Sequence, residues 1–191
     1  MIHRTKALKL LDFPILRQAY TWDCGAASLQ SVLAYYGIDE REEVLIDELN
    51  TSEENGTIAS EIRRVARDVY GLECVSKNNM SIDDLKKRIR NGHPVIVLIQ
   101  AWPDIDESEK RNFDWSTFEE GHFVTVIGAT NNKILFEDPS SVTRTFIETP
   151  EFLKRWHDED FVDGKRIVYN RWGLAFFGKK KYSHSLVTRL G

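Results

Sequence analysis

Cys24 occupies the position in this sequence where a nucleophile would be most reactive. It falls in the first turn of a helix predicted over 23–36, with Asp23 able to cap the start and Gly37 as the stop. Backbone N–H groups and the helix dipole at such a start favour a thiolate over a thiol. A thiolate beside an imidazolium is a strong nucleophile at neutral pH, so the sequence should supply a histidine elsewhere.

Five histidines could supply this partner, and one of them is predicted to lie on a rigid element. His122 opens the hydrophobic strand predicted over 122–128, which would hold its ring at the edge of a sheet. Taken alone, a histidine at a strand start is usually structural. The remaining four are predicted to lie in the termini (His3 and His184), in a turn (His93) and at a helix end beside acids (His157).

Two further side chains complete a set that could perform acyl transfer. Asp138 ends the next predicted strand and could accept a hydrogen bond from His122, fixing its tautomer and stabilising its charged form. Gln18, six positions before Cys24, could donate to an oxyanion together with the Cys24 backbone N–H. Alone, Asp138 would be a turn signal and Gln18 a solvated loop residue. The combination predicts nucleophilic attack on a carbonyl.

The connection between the two strands decides whether Asp138 can reach His122. A regular two-residue turn at 131–132 would pair Thr125 with Asp138 and turn Asp138 away from His122, because strand faces alternate with period two. The sequence therefore predicts either an odd number of loop residues or a bulge. Asp138 could then lie opposite Val124, diagonal to His122 at ~7–8 Å on the same face.

The order of the predicted elements, helices first and strands afterwards, is typical of an α+β domain. Apolar spacing and capping signals predict helices over 23–36, 41–49, 57–70, 81–90 and 150–157. Apolar runs predict strands over 94–99, 122–128, 133–138, 166–170 and 173–178. The chain, 1–191, is predicted to be a single domain with an arm over 1–16 and a loose basic tail over 179–191.

Composition excludes several classes of function. The chain is 41% hydrophobic and 29% charged, an ordinary globular balance, and its net charge of −4 gives no electrostatic reason to bind nucleic acid. The second cysteine, Cys74, lies in a short apolar segment and is predicted to be structural. The spacing of cysteines and histidines fits no metal site, and no cofactor is predicted. Without a long apolar stretch or a signal region, the sequence predicts no membrane span and a cytoplasmic location.

The segment 102–120 joins two predicted strands without clear periodicity, and a connection of that length is usually functional or disordered. Because it leads directly into His122, three residues in or beside it, Trp102, Trp115 and Gly121, are candidate substrate contacts. Its acids are Asp104, Asp106, Glu107, Glu109, Asp114, Glu119 and Glu120. It is either a solvated connection or a mobile wall of a groove that favours basic substrates.

Three motifs stand out: Gln18-Ala-Tyr-Thr-Trp-Asp-Cys24-Gly-Ala-Ala-Ser, Gly121-His-Phe-Val-Thr-Val-Ile-Gly128 and Phe136-Glu-Asp138-Pro. Together they resemble the bacteriocin-processing, double-glycine leader peptidases, over about residues 14–140. The first motif is fairly specific, and the other two are modest but arrive in the right order. The resemblance implies a papain-like cysteine peptidase fold, with N-terminal helices packed against a C-terminal antiparallel sheet. It also implies a Cys-His-Asp triad with an oxyanion-stabilising glutamine.

The sequence departs from the transporter form of that family, in which the peptidase is usually the cytosolic N-terminal domain of a peptide-exporting ABC transporter. It contains no membrane span and no Gly-x-x-x-x-Gly-Lys-Ser/Thr phosphate loop. The resemblance therefore implies a free-standing relative, and the leader-peptide substrate does not simply carry over. The expected partner is a peptide or protein substrate.

The predicted function is cleavage of a peptide or isopeptide bond through a thioester on Cys24. An amidase, a deamidase or an acyl transferase would use the same site, because the first half-reaction is identical. A peptide-binding module without catalysis could retain the same fold. The sequence alone leaves these alternatives open.

Overall fold

The structure is a computed structural model that describes residues 9–103, 113–117 and 120–185. Its helices are α1 (Cys24–Tyr35), α2 (Glu42–Glu48), α3 (Ala59–Arg64), α4 (Ile82–Arg90) and α5 (Thr149–Arg155). Its strands are β1 (Cys74–Lys77), β2 (Val95–Gln100), β3 (Gly121–Ala129), β4 (Lys133–Glu137), β5 (Thr145–Glu148), β6 (His157–Val162), β7 (Lys165–Asn170) and β8 (Gly173–Phe176). A π-helical turn, Val65–Val69, continues α3.

Six of these strands form one antiparallel sheet in the order β1-β8-β2-β3-β4-β5, and β6 and β7 form a separate hairpin. Every residue of β2 is buried, because the strand lies inside the sheet between β3 and β8, and α4, α5 and β6 pack against it. Helices α1 and α4 pack against β3, and α5 packs against β2, β4 and β5. This is the predicted α+β architecture, with the N-terminal helices packed on an antiparallel sheet.

Helix α4 shows how local sequence signals determine an element. The Ser81 hydroxyl accepts a hydrogen bond from the Asp84 N–H at 3.0 Å, and the Asp84 carboxylate accepts from the Ser81 N–H at 2.9 Å. This reciprocal capping box satisfies two N–H groups that the helix itself leaves unpaired. Leu85 and Ile89, four positions apart, are buried against the rest of the domain. The predicted helix over 81–90 is confirmed.

The hairpin between β3 and β4 contains the predicted irregularity. The Thr130 N–H donates to the Lys133 carbonyl at 2.9 Å, which closes a two-residue loop. The strand register then shifts between Val126 and Gly128, so that Ile127 is the extra residue of a β-bulge. Of the two predicted alternatives, the structure uses the bulge.

The bulge brings the two candidate residues of the hairpin to one face. Thr125 pairs with Glu137, so the next position along each strand sets Val124 opposite Asp138. Asp138 is therefore diagonal to His122 and on the same face. The register predicted for this geometry is confirmed.

The N-terminal arm is anchored at this bulge. The Leu11 N–H donates to the Ile127 carbonyl at 2.8 Å, and Leu10 forms an isolated bridge with Gly128. Leu11 and Phe13 are buried in the core. A bulged residue loses its regular ladder partner, and the arm supplies one.

Three strands were not predicted, namely β1, β5 and β6. β6 carries three consecutive acids and lacks the apolar alternation that identifies a strand in sequence. The helix predicted over 150–157 ends at Arg155, and His157 opens β6 instead. The His157 Nε2 and the Trp115 carbonyl lie 2.8 Å apart, so His157 has a structural partner where a capping or solvated role was predicted.

The first part of the basic tail is held against the domain. Asp12 accepts hydrogen bonds from the Lys180 ammonium at 2.7 Å and from His184 at 2.8 Å, and the Lys181 N–H donates to the Tyr35 carbonyl at 3.1 Å. Lys180, Lys181 and His184 of the predicted tail therefore contact the body of the domain. Residues 186–191 lie outside the described residues, as do residues 1–8 of the arm.

Most of the segment 102–120, predicted to be either a solvated connection or a mobile wall of a groove, also lies outside the described residues, which omit 104–112 and 118–119. Among the described helices, none combines the length and apolarity required to cross a bilayer.

Candidate active site

The start of α1 lies against the beginning of β3, so that Cys24 is next to the backbone of Phe123. The Phe123 N–H points at the Cys24 sulfur, with 3.5 Å between nitrogen and sulfur. The Ser28 hydroxyl, one turn further along α1, donates to the Phe123 carbonyl at 3.2 Å and so fastens the helix to the strand. On another side of the helix start, Gly25 permits the close approach of Thr57, because a Cβ at Gly25 would come within 2.5 Å of the Thr57 side chain. The predicted position of Cys24 at a helix start is confirmed.

Asp23 takes the N-cap position of α1 but does not cap the helix with its side chain. Its carboxylate is fully buried and accepts from the Tyr20 N–H, with both oxygens at 3.2 Å. Glu42 accepts from the Ala19 N–H at 3.3 Å. Burial raises the pKa of Asp23, and burial together with the Asp23 charge raises the pKa of Glu42 to about 7. Two carboxyl groups thus hold the loop before Cys24.

His122 and Asp138 are joined by a hydrogen bond of 2.8 Å between Nε2 and Oδ1. The same carboxylate oxygen accepts from the Ser140 N–H at 3.0 Å. Burial opposes the charged form of Asp138, but the hydrogen bond from His122 holds the pKa of Asp138 below its ordinary value. The Asp138 carboxylate is therefore ionised at neutral pH and orients the ring.

The second ring nitrogen of His122 faces a different environment. Nδ1 is buried and has no hydrogen-bond partner among the described residues. Burial acts to lower the pKa of His122, but its interactions with Asp138 and with the Cys24 sulfur outweigh burial and raise that pKa to about 9. At neutral pH the ring is charged, and an imidazolium beside Cys24 is the partner that a thiolate needs.

Gln18 is attached to the loop that follows Asp138. Its backbone N–H donates to the Pro139 carbonyl at 3.0 Å, and its side-chain oxygen accepts from the Ser140 hydroxyl at 2.7 Å. The side-chain nitrogen donates to the Tyr20 carbonyl at 2.5 Å. These contacts link Gln18 both to the loop that precedes Cys24 and to the turn that carries Asp138.

A cavity of about 470 Å³ opens beside His122 and Asp138. Trp102 lies at its rim, more than half exposed and with its ring centroid 4.2 Å from that of His122. Trp115 is buried in the wall, with the Arg155 guanidinium 4.4 Å from its ring centroid. Two of the three candidate substrate contacts therefore meet at one cavity.

The third candidate contact, Gly121, directly precedes His122 in β3. It begins β3 and is exposed, but the space above its Cα is occupied by the Asp158 carboxylate, with which a Cβ would collide. Asp158 accepts from the Gln100 side chain at 3.2 Å, and burial raises its pKa to about 6. Gly121 thus accommodates Asp158, a contact that no local pattern in the sequence indicates.

Cys74 differs from Cys24 in its element and in its burial. It begins β1, is buried, and its sulfur contacts the Arg63 carbonyl at 3.8 Å. Burial raises the pKa of the Cys74 thiol, which disfavours the reactive thiolate. The prediction that Cys74 is structural fits this environment.

Three features near the site were not found by sequence reasoning. They are the Ser140 hydroxyl, the paired carboxyls of Asp23 and Glu42, and Asp158 above Gly121. Ser140 could have been noticed, because it follows Asp138 by two residues in an Asp-Pro turn. The other two depend on contacts between distant parts of the chain.

Solved structures share this fold. A C39-like peptidase from Bacillus anthracis superposes with a TM-score of 0.65 and 18% identity, over 91% of this chain and 99% of that one. The peptidase domain of Streptococcus ComA, a bifunctional ABC transporter of a quorum-sensing pathway, gives 0.57 and 25% identity, over 85% and 94%. A double glycine motif protease from an AMS/PCAT transporter, solved with its leader peptide, gives 0.58 and 23%, over 87% and 92%.

The sequence comparison points to the same group. No curated protein matches the chain significantly. The family model described as "Peptidase_C39 like family" matches residues 10–162, a span that includes Cys24, His122 and Asp138. Since this match extends over well more than half of the chain, the protein belongs to the Peptidase_C39 like family.

Proposed function

We propose that this protein is a cysteine peptidase that cleaves a peptide or isopeptide bond through a thioester on Cys24. The observation that carries the proposal is that the His122 ring interacts with both the Asp138 carboxylate and the Cys24 sulfur. Family and fold support a peptidase-like activity of this kind. The structure solved with a leader peptide is a precedent for peptide binding on this fold.

The reaction begins with an ion pair in which the His122 ring holds the proton of the Cys24 thiol. The thiolate attacks the substrate carbonyl carbon, and the carbonyl π electrons move to oxygen to give a tetrahedral oxyanion. The Cys24 backbone N–H and the Gln18 side-chain amide stabilise that charge. The C–N bond then breaks, and His122 donates its proton to the departing amine.

Hydrolysis of the thioester completes the cycle. His122, now neutral, takes a proton from a water molecule whose oxygen attacks the thioester carbonyl. The C–S bond breaks, the carboxylic acid leaves, and the thiolate–imidazolium pair is restored. Asp138 stays ionised and keeps the ring oriented throughout.

Two measurements test the proposal. Iodoacetamide at about pH 6, below the usual thiol pKa of ~8.5, should label Cys24 and spare Cys74, and His122→Ala should slow the labelling sharply. Peptide libraries analysed by mass spectrometry should show cleavage by the wild-type protein and none by Cys24→Ala, with Cys74→Ala as the matched control. Equal labelling of the two cysteines would contradict the ion pair.

The products distinguish the alternatives that share the site. Cleavage of a backbone or isopeptide bond supports the peptidase. Release of ammonia from side-chain amides without cleavage would indicate a deamidase or amidase, and a new amide with an added amine would indicate an acyl transferase. Binding of peptides without any product, together with an unreactive Cys24, would indicate a binding module and overturn the proposal.

A further inference from the structure

Ser140 makes three hydrogen bonds that join separate parts of the site. Its N–H donates to Asp138 Oδ1 at 3.0 Å, its hydroxyl donates to Gln18 Oε1 at 2.7 Å, and its carbonyl accepts from Arg17 Nη2 at 3.0 Å. The Gln18 N–H also donates to the carbonyl of the neighbouring Pro139. One short turn therefore contacts both the carboxylate that orients His122 and the amide proposed to hold the oxyanion.

The Ser140 hydroxyl and the Tyr20 carbonyl together hold the Gln18 amide in one orientation. Because Oε1 accepts from Ser140, the amide nitrogen lies on the opposite side, where it donates one of its two N–H groups to the Tyr20 carbonyl. The second N–H is the donor that an oxyanion requires. A flip of the amide would present an oxygen to a negative charge and also to the Tyr20 carbonyl, which can only accept, so the Tyr20 contact opposes the flip. The Ser140 hydroxyl adds about one hydrogen bond that holds the amide in place.

The Tyr20 peptide restrains the same amide from the other side. Its carbonyl accepts from Gln18, while its N–H donates to the buried Asp23 carboxylate directly before Cys24. The Gln18 side chain is thus held between the Asp138 turn and the start of α1. Among the described residues, the Ser140 hydroxyl holds the oxygen end of the amide and the Tyr20 carbonyl holds its nitrogen end.

We propose that Ser140 is a positioning residue that orients the Gln18 amide for oxyanion stabilisation through its side-chain hydroxyl. This rests on the proposed acyl transfer at Cys24 but adds a residue and a function to it. The Ser140 backbone N–H holds Asp138 in any variant, so the role of the hydroxyl can be tested separately from that of the His122–Asp138 pair.

Ser140→Ala should lower kcat about five- to tenfold, since one hydrogen bond is lost, with little change in KM. Ser140→Thr keeps a hydroxyl and should restore most of the rate. The matched control is Ser141→Ala, at a neighbouring serine whose hydroxyl accepts from the Thr143 N–H, and it should retain the wild-type rate. Thermal unfolding of each variant separates a loss of function from a loss of folding.

A second reaction distinguishes an effect on oxyanion stabilisation from an effect on the reactivity of Cys24. Alkylation of Cys24 by iodoacetamide forms no oxyanion, so Ser140→Ala should alkylate at the wild-type rate while its peptide hydrolysis falls. In a Gln18→Ala background, Ser140→Ala should cause no further loss, because the amide that it orients is absent. The two effects should therefore be strongly non-additive.

The proposal is overturned if the losses from Ser140→Ala and Gln18→Ala multiply, if alkylation falls in step with hydrolysis, or if Ser140→Ala leaves kcat unchanged. These outcomes differ from a failure of the proposed function itself. In that case wild-type protein and Cys24→Ala would behave alike in the cleavage assay, before Ser140 is considered.

Discussion

At the level of single residues, the His122 imidazole connects two parts of the chain that are far apart in sequence. Asp138 holds one ring nitrogen in a 2.8 Å hydrogen bond, and the ring also interacts with the Cys24 sulfur. Both neighbours favour the charged ring, which explains why its pKa is raised although the ring is almost fully buried.

Replacing the carboxylate should weaken the ion pair in a way that depends on pH. Asp138→Asn preserves shape but removes the charge that stabilises the imidazolium, so the pKa of His122 should fall from about 9 and Cys24 should become reactive only at higher pH. We expect the rate of Cys24 alkylation to drop much more at pH 6 than at pH 8. A profile against pH with iodoacetamide measures this.

The control for that profile is Asp163→Asn, at an exposed position in the turn between β6 and β7. It should leave the profile unchanged. A profile for Asp138→Asn that equals the wild-type profile would remove Asp138 from the mechanism.

At the level of elements, the site depends on close packing between the start of α1 and the chain before α3. Gly25→Ala would place a methyl group 2.5 Å from the Thr57 Cβ, so either Thr57 or the first turn of α1 must move. We expect a loss of about 1–3 kcal/mol in the free energy of unfolding, and lower activity because Cys24 is the adjacent residue. Urea denaturation and the cleavage assay measure the two effects.

Thr57→Gly provides the matched test of that clash. In its background, Gly25→Ala should cost clearly less than it does alone, because the obstructing side chain is absent. Equal costs in both backgrounds would mean that the glycine is required for another reason.

Helix α4 offers an element-level change remote in sequence from Cys24, His122 and Asp138. Ser81→Ala removes the hydroxyl that accepts from the Asp84 N–H and should destabilise the protein by about 1 kcal/mol, lowering Tm by about 2–4 °C. Alkylation of Cys24 should be unaffected. An unchanged Tm would show that the capping box contributes nothing to stability.

At the level of the whole molecule, buried ionisable groups predict how stability varies with pH. Burial raises the pKa of Glu42 and of Glu137 to about 7 and the pKa of Asp158 to about 6. The interactions of His122 with Asp138 and Cys24 raise the pKa of His122 to about 9. A group whose pKa is higher in the folded state adds stability below its unfolded pKa and loses it as pH rises through the folded value. All four therefore act in the same direction.

We expect the free energy of unfolding to fall as pH rises from about 5 to about 9. Asp138, whose pKa is lowered, acts in the opposite sense and loses its contribution only at more acidic pH. Urea denaturation at pH 5.5, 7 and 8.5 measures the trend. Glu42→Gln should flatten it between pH 5.5 and 8.5, whereas Glu54→Gln, at an exposed turn, should not. A stability that rises with pH over this range would contradict the assignment.

Local patterns in the sequence determined most of the elements and three members of the candidate site. A helix start, a strand start and an Asp-Pro turn are local features, so Cys24, His122 and Asp138 could be selected without a structure. Because side chains alternate between the two faces of a strand, the sequence also predicted an odd number of loop residues or a bulge in the hairpin. Elements without strong local signals, such as the acidic strand β6, were missed for the same reason.

Only the tertiary structure decided that the hairpin contains a bulge, where the bulge lies, and which residues surround the site. The bulge falls at Ile127 because the N-terminal arm, more than a hundred residues earlier, supplies a hydrogen-bond partner for its carbonyl. Glu42 meets the Ala19 N–H across 23 positions of sequence, and Ser140 meets Gln18 across 122. Such contacts depend on the packing of distant segments, and buried polar groups must find partners wherever packing brings them.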